Sequence, residues 1–277
     1  MKRKLKLITL IPLCMTMTFQ SFADGFAKQK EIITAKDVFG DDDDYYDDRV
    51  YITEDDFVEI PNINIKMLKT EVTQELYESV MGVNPSHDIG ENKPVTNITA
   101  YDAMYFCNKL SKLKGKKPVY AVNGETDVTK WDHDKNDHWV PHSIDIITQD
   151  TKASGFRLPT INEFAYATRG GEYFDYAGSN NLDEVGWYIG NSDNKTHPVA
   201  QKKANGYGLY DMSGNVAEWL EPGYYCDQDW RRDGWGLEFI GYFWGGSYKL
   251  PADCCYVWSG FFEDIYTWSD VGFRIVY

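Results

Sequence analysis

The residues of this chain best suited to chemistry are two adjacent cysteines near its C-terminal end, Cys254 and Cys255. They lie in "GGSYKLPADCCYVWSG", residues 245–260, among tyrosine and tryptophan side chains. Thiolates are nucleophiles and ligands of soft metal ions, whereas exposed Tyr and Trp are typical of binding surfaces. The segment therefore supports either thiol chemistry or a binding surface, and the residues around it must decide.

The remaining cysteines add no reactive pattern. Cys107 falls on the apolar face of a predicted helix, which favours a plain core cysteine. With Cys14 set aside, the four cysteines of the chain permit disulfides, and the sequence does not rank the three pairings. A bond between the neighbours Cys254 and Cys255 would require a strained ring, so we do not expect it.

Net charge and aromatic content limit the class of partner. The formal net charge is −15, and nucleic-acid binding requires a basic face. Aromatic residues make up 16% of the chain, including 20 Tyr and 9 Trp, which suits a binding surface. We expect a monomer with a protein or glycan ligand at a cell or host surface, and no nucleic-acid partner.

The N-terminal residues predict export. Residues 1–23 combine a basic start, an apolar run and a small-x-small motif at Ser21–Ala23, as in a signal peptide. Cys14 ends the apolar run, so lipidation at Cys14 is the alternative route, and the sequence leaves both open. That lipid would be the only contact with a membrane. Residues 24–56 read as an acidic tether around "GDDDDYYDDR", and residues 57–277 as the globular domain.

Three helices are predicted from capping residues and apolar spacing. The first has Thr73 as its N-cap and ends at Gly82, and the second is capped by Thr99. The third begins with a capping box, Thr160 with Glu163, and ends at Gly170. The region after residue 171 shows no helical periodicity and predicts loops joined by short strands.

Several stretches together resemble the formylglycine-generating enzyme, or sulfatase-modifying factor, family. They are "TEVTQELYESVMGVNPS", "PVTNITAYDAMYFCNKLS", "GFRLPTINEFAYATRGG", "NKTHPVAQKKANGYGLYDMSGNVAEW", "GGSY" and the terminal "GFR". The resemblance implies an α+β fold, a loop-rich variant of the C-type lectin fold with a few short helices and small antiparallel sheets.

In enzymes of this family, two cysteines after "GGSY" bind copper and oxidise a substrate cysteine to formylglycine. The first of these positions is Leu250 here and the second is Cys255. Adjacent residues of an extended segment point to opposite faces, so Cys254 is not a simple replacement. We therefore expect no copper and no enzymatic activity, while the cysteine pair keeps the oxidase as the alternative.

The resemblance also implies one Ca²⁺ ion. Its ligands would be the side chains of Asp211 and Glu218 and the carbonyls of Gly214 and Val216, oxygen donors of the kind calcium prefers. Without the resemblance, the same residues would read as a turn cap at Asp211 and an ion pair at Glu218.

One branch of the family, the variable proteins of diversity-generating retroelements, matches the C-terminal segment best. Those elements rewrite adenines in codons between a "GGS" and a terminal "GFR", which here are residues 245–247 and 272–274. Mutated asparagine codons yield Tyr, Cys, Ser, Gly, Asp, Phe, Val and Ile, and residues 248–270 contain all of these and no Asn. The alternative is an ordinary aromatic-lined groove.

We therefore predict an exported binding protein of the cell surface or outer envelope with a hypervariable site. A structural envelope lipoprotein without a dedicated ligand is a further alternative. Ala252, Cys255 and Val257 are expected to face inward. The predicted ligand contacts are Tyr248, Lys249, Leu250, Pro251, Asp253, Cys254, Tyr256, Trp258, Ser259, Gly260, Phe261, Phe262, Glu263, Asp264, Tyr266, Trp268, Ser269 and Asp270.

Overall fold

The computed structural model describes residues 52–131, 146–225, 238–263 and 269–277. All of them belong to one compact unit, Ile33–Tyr277. The predicted signal segment, with Cys14, and most of the predicted tether lie outside these residues. Cys226, Asp264, Tyr266 and Trp268 also lie outside them.

The first two helices form where their capping residues predict. Helix α1 is Gln74–Met81, and the Thr73 hydroxyl accepts the N–H of Leu76 at 3.2 Å. It ends at Gly82, whose φ of 83° is in the left-handed region that glycine tolerates. Helix α2 is Ala100–Leu113 and begins with Thr99 in a capping box.

Helix α2 contributes a buried face to the main hydrophobic core, as its apolar spacing predicts. Burial raises the pKa of the Cys107 thiol far above its ordinary value, so Cys107 is a core residue, as expected. Its fully buried neighbours on the predicted stripe are Ala103, Phe106, Leu110 and Leu113.

The third predicted helix is also present. Helix α3 is Ile161–Arg169, with the Thr160–Glu163 capping box in place and Gly170 at φ 59°. Two shorter pieces were not predicted: helix α4, Leu182–Val185, and a 3-10 helix, Ala252–Cys255. Each has only four residues, which is too short to show helical periodicity in a sequence.

Two small antiparallel hairpins flank the helices. Strands β1 (Phe57–Ile60) and β2 (Ile65–Leu68) form one pair, and β3 (Tyr120–Val122) and β4 (Ile147–Gln149) form the other. Short 3-10 turns lie at Glu54–Asp56 and Val128–Lys130.

The C-terminal half forms a five-stranded sheet. Its strands are β5 (Ala217–Trp219), β6 (Gly223–Tyr225), β7 (Glu238–Trp244), β8 (Gly260–Glu263) and β9 (Val271–Phe273). Strand β7 pairs antiparallel with β6, β5 and β8, whereas β5 and β9 run parallel. The sheets are thus not all antiparallel, although the mixed α+β class with short helices and small sheets is confirmed.

The sheet brings distant motifs of the sequence together. The parallel pairing sets Glu218 beside Gly272 and Trp219 beside Phe273. Trp219 and Phe273 are both fully buried, and the Trp219 indole N–H donates to the carbonyl of Ile98 at 3.0 Å. Phe273 therefore anchors the last strand in the core, as predicted. Among the described residues, no helix is long and apolar enough to cross a membrane.

Candidate functional site

The segment between "GGS" and "GFR" leaves the sheet through a tightly packed glycine turn. Gly245 and Gly246 have φ of 98° and 73°, a region that side chains disfavour. A Cβ added at Gly246 would lie 2.5 Å from the Cys255 sulfur and 2.8 Å from the Cys254 carbonyl oxygen. The turn is therefore built around glycine, as the sequence predicts.

Hydrogen bonds attach this turn to the "SGNV" turn that precedes β5. The N–H of Gly214 donates to the carbonyl of Gly245, and the N–H of Tyr248 donates to the carbonyl of Asn215, both at 2.8 Å. The Ser247 hydroxyl donates to the Asp270 carboxylate at 2.6 Å, which ties the two ends of the segment together.

The two cysteines lie on the short 3-10 helix and not on an extended strand. The expectation that their side chains point to opposite faces assumed an extended backbone, so it was wrong. Cys255 is fully buried, with its sulfur 3.8 Å from the carbonyl oxygen of Pro251. Burial, with lesser effects from the neighbouring Cys254 and Asp253, raises the pKa of the Cys255 thiol to about 12. A raised pKa disfavours the thiolate form, which is the form that binds metal ions. Cys107, Cys254 and Cys255 are all free of disulfides.

Three aromatic rings form a continuous stack beside this helix, which we call the aromatic ladder: Tyr176, Tyr256 and Trp258. Tyr176 and Tyr256 have ring centroids 5.0 Å apart, and Tyr256 and Trp258 have centroids 4.8 Å apart, each pair at an interplanar angle of 16°. Tyr176 is buried, Tyr256 is half-buried, and 52% of Trp258 is exposed. The ladder thus runs from the core to the surface.

Cys255 and Val257 are both buried, as expected. Cys255 packs in the cluster that contains Tyr176, against which Ala252 is half-buried, whereas Val257 belongs to the cluster that contains Phe164 and Met212. The Val257 N–H donates to the carbonyl of Asp175 at 2.9 Å, which fixes the backbone between the two outer rings. Inward and outward side chains therefore alternate from residue 255 to residue 258.

The other predicted contact residues divide by exposure. Tyr248 differs from the prediction: it is 6% exposed and belongs to the packed base, where its hydroxyl lies 3.4 Å from the carbonyl oxygen of Ser269. Phe261 is half-buried and stacks on Phe243 of the core at 5.8 Å. Phe262 and Glu263 are placed only as backbone of β8. The exposed members are Pro251, Asp253 and Gly260; the half-buried ones are Lys249, Leu250, Cys254, Ser259, Ser269 and Asp270.

The structure adds residues that the sequence did not indicate. Tyr176, the base of the ladder, lies far from the segment in sequence. Tyr188 packs with the cluster of Tyr176 and Cys255, and the Ile189 N–H donates to the carbonyl of Leu250 at 3.1 Å. Ile189 is 56% exposed. These residues come from loops without periodicity, so no local signal could have found them.

The predicted calcium ligands lie beside a buried ion pair. Both carboxylate oxygens of Glu218 accept from Arg274, from Nε and Nη2, at 2.6 Å. Arg274 also donates to the carbonyls of Leu68, Lys69 and Tyr210. Burial raises the pKa of Glu218, although Arg274 opposes the shift. The alternative interpretation of Glu218 as an ion-pair partner thus describes this geometry.

Two further carboxylates are buried in the same place. Asp211 accepts the N–H of Ala200 at 2.7 Å through Oδ2, while Oδ1 has no hydrogen-bond partner. Burial raises the pKa of Asp211 to about 6. Burial, and then the charges of Asp211 and Glu218, raise the pKa of Glu71 well above its usual value.

The side chains as placed do not fit a calcium ion. Asp211 Oδ1 could bind a metal ion, because it accepts no hydrogen bond. Both carboxylate oxygens of Glu218, in contrast, accept hydrogen bonds from the guanidinium of Arg274. Arg274 supplies the positive charge that balances Glu218. Gly214 is therefore interpreted as a turn residue, and Val216 as the residue that precedes strand β5.

Comparison with known proteins identifies the family to which this fold belongs. Residues 23–277 match the model of the sulfatase-modifying factor enzyme 1-like domain. The chain belongs to this family. The solved structure of Treponema denticola variable protein 1 superposes with a TM-score of 0.66 at 34% identity, covering 76% of this chain and 84% of that one. The variable-protein branch of the family is therefore supported by structure as well as by sequence.

Two curated relatives match over shorter stretches. The chaperone protein LppX of Paenibacillus barcinonensis is 42% identical over 172 residues, 54% of this chain and 59% of that protein. The formylglycine-generating enzyme of Mycobacterium tuberculosis (strain ATCC 25618 / H37Rv) is 37% identical over 86 residues, 26% of this chain and 29% of the enzyme. The chain thus spans less than two thirds of either relative.

Proposed function

We propose that this protein is a non-enzymatic binding protein whose ligand contacts lie between residues 248 and 270. The observation that carries the proposal is the aromatic ladder, in which 52% of Trp258 is exposed at the outer end of a stack that begins at the buried Tyr176. Exposed Trp and Tyr are the side chains that most often dominate the free energy of binding interfaces.

The backbone of the segment is held by contacts that the exposed side chains do not make. Main-chain hydrogen bonds fix it at Tyr248, at Leu250 and at Val257, all at 2.8–3.1 Å. The side chains of Cys255 and Val257 are buried in the hydrophobic core and hold this part of the segment in place. Lys249, Asp253 and Trp258 can therefore change without altering the path of the chain, which is what a diversified binding site requires.

The oxidase alternative has little support. Leu250 stands where the family enzymes have their first cysteine, and burial raises the pKa of the Cys255 thiol to about 12. A copper ion held by two thiolates needs both sulfurs deprotonated and converging. The relatives nevertheless include a formylglycine-generating enzyme, so a direct assay of this activity is required.

Diversification by a retroelement is a further part of the proposal, and nucleotide sequence tests it. We expect a non-coding near-copy of the last hundred or so bases close to the gene. The two copies should differ mainly at adenines in codons 248–270 and agree at the codons of "GGS" and "GFR". If the genome contains no such copy, the proposed diversification by a retroelement is wrong and the binding site is fixed.

Export to the cell surface or outer envelope is also proposed, on the N-terminal sequence. The ligand would then be a protein or glycan at a cell or host surface. Mass spectrometry of the native protein should find its N-terminus at a lipidated Cys14 or at Asp24. An intact Met1 in the envelope fraction would reject both processing routes.

A further inference from the structure

The outer face of Trp258 is available to a ligand. Its inner face is covered by Tyr256, yet 52% of the side chain remains exposed. No lysine or arginine of the described residues lies over its ring, although other rings carry such contacts, for example Tyr277 beneath Lys116 at 4.0 Å. The electron-rich face of tryptophan is the strongest cation-binding surface among the aromatic side chains.

Two exposed aspartates are hydrogen-bonded through their main-chain carbonyls to the sequence neighbours of Trp258. The N–H of Val257 donates to the carbonyl of Asp175 at 2.9 Å, and the Ser259 hydroxyl donates to the carbonyl of Asp253 at 3.0 Å. Asp175 and Asp253 are both exposed, and neither has an ion-pair partner among the described residues. Two negative charges without ion-pair partners, on residues beside the neighbours of an exposed aromatic ring, favour a cationic ligand.

Two described lysines, Lys249 of the segment and Lys203, are engaged elsewhere. Lys249 Nζ donates to the Ser269 hydroxyl, and Lys203 Nζ donates to the carbonyl of Gly178 at 3.0 Å. They therefore do not pair with Asp175 or Asp253. The formal net charge of the whole chain, −15, adds a long-range attraction for basic partners.

We infer that this face binds a basic segment of a partner protein, with an arginine or lysine side chain over the outer face of Trp258 and its charge attracted by the nearby residues Asp175 and Asp253. This inference rests on the proposed binding function and names the class of its partner. Arginine suits the position best, because its planar guanidinium stacks on an indole and still donates to carboxylates at its edge. Charge complementarity selects this occupant over neutral or acidic ones.

The test measures the affinity of the full chain for three short capped peptides, in which glycine alternates with arginine, glutamine or glutamate. Isothermal titration calorimetry at low and high salt supplies the affinities. We expect the arginine peptide to bind, the other two to bind at least about tenfold more weakly, and the arginine affinity to fall with salt.

Two variants locate the binding. Trp258→Ser, and the double variant Asp175→Asn with Asp253→Asn, should each weaken the arginine peptide by about tenfold. The matched control is Glu75→Gln with Glu78→Gln, which removes two exposed carboxylates on helix α1 and should leave the affinity unchanged. Thermal melting of each variant verifies that it is folded.

Failure of this inference is distinguishable from failure of the proposed function. Equal affinity for the arginine and glutamine peptides, absence of arginine-peptide binding, or loss of affinity in the control variant would overturn the basic-partner inference. If glycan-array binding by the chain disappears in Trp258→Ser and persists in the Asp175 and Asp253 variant, the binding function stands and the basic partner is wrong.

Discussion

Arg274 and Glu218 form a bidentate ion pair that is cut off from water. The two hydrogen bonds are 2.6 Å long, and the side chains are 0% and 1% exposed. The pair joins the "GFR" end of the chain to the "GNVAEW" motif, which lie on the adjacent parallel strands β9 and β5. Arg274 is thus a structural residue, and it fixes one end of the proposed binding segment.

Removing one partner of this pair should destabilise the fold strongly. We expect Arg274→Met to lower the free energy of unfolding by about 3–5 kcal/mol, because it leaves Glu218 as an uncompensated buried charge. The double variant Arg274→Met with Glu218→Met should be more stable than Arg274→Met alone. Urea unfolding of the three chains provides the measurement, and a double variant as unstable as the single one would contradict this role.

Gly246→Ala should destabilise the protein more than its backbone conformation alone explains. The added methyl would lie 2.5 Å from the Cys255 sulfur and 2.8 Å from the backbone oxygen of Cys254. Gly115→Ala is the matched control, because Gly115 has a similar φ of 65° and nothing within 4 Å of its added Cβ. The control should cost about 1–2 kcal/mol for the left-handed backbone, and Gly246→Ala should cost clearly more. Equal losses would mean that the glycine turn is not tightly packed.

Calcium should not stabilise the folded chain, since Arg274 occupies the carboxylate of Glu218. We expect the melting temperature to be the same in excess calcium and in chelator. An occupied site at about 100-fold over its Kd would instead add about 2.7 kcal/mol to the free energy of unfolding. A calcium-dependent rise in melting temperature that disappears in Asp211→Asn would restore the calcium site implied by the family.

The helices could be predicted from the sequence, and the ladder could not. Thr73, Thr99 and Thr160 cap helices that begin where local hydrogen bonding dictates, so a few neighbouring residues suffice. The stacking of Tyr176 on Tyr256 depends on residues 80 positions apart and on no local pattern. The 3-10 helix at Ala252–Cys255 likewise depends on packing against Gly246. The sequence therefore indicates the proposed binding segment, but not the framework residues, such as Tyr176, that pack against it.

The chain should not convert a sulfatase cysteine peptide to formylglycine, even when supplied with copper. Leu250 offers no sulfur, and burial holds the Cys255 thiol protonated by raising its pKa to about 12. A formylglycine-generating enzyme assayed with the same peptide is the positive control. Turnover with stoichiometric copper would contradict the non-enzymatic account and would identify Cys254 and Cys255 as the ligands.

The proposed binding surface is tested most directly by comparing the unfolding free energies of two variants at neighbouring positions, Val257→Ser and Trp258→Ser. Val257 is 2% exposed and Trp258 is 52% exposed. If the segment is a rigid base that displays its outer side chains, Trp258→Ser should cost less than about 1 kcal/mol, although it removes the larger side chain. Val257→Ser should cost about 2–4 kcal/mol, because it removes buried methyl groups and buries a hydroxyl. A loss for Trp258→Ser equal to or greater than that for Val257→Ser would make the tryptophan part of the core and contradict the proposed binding surface.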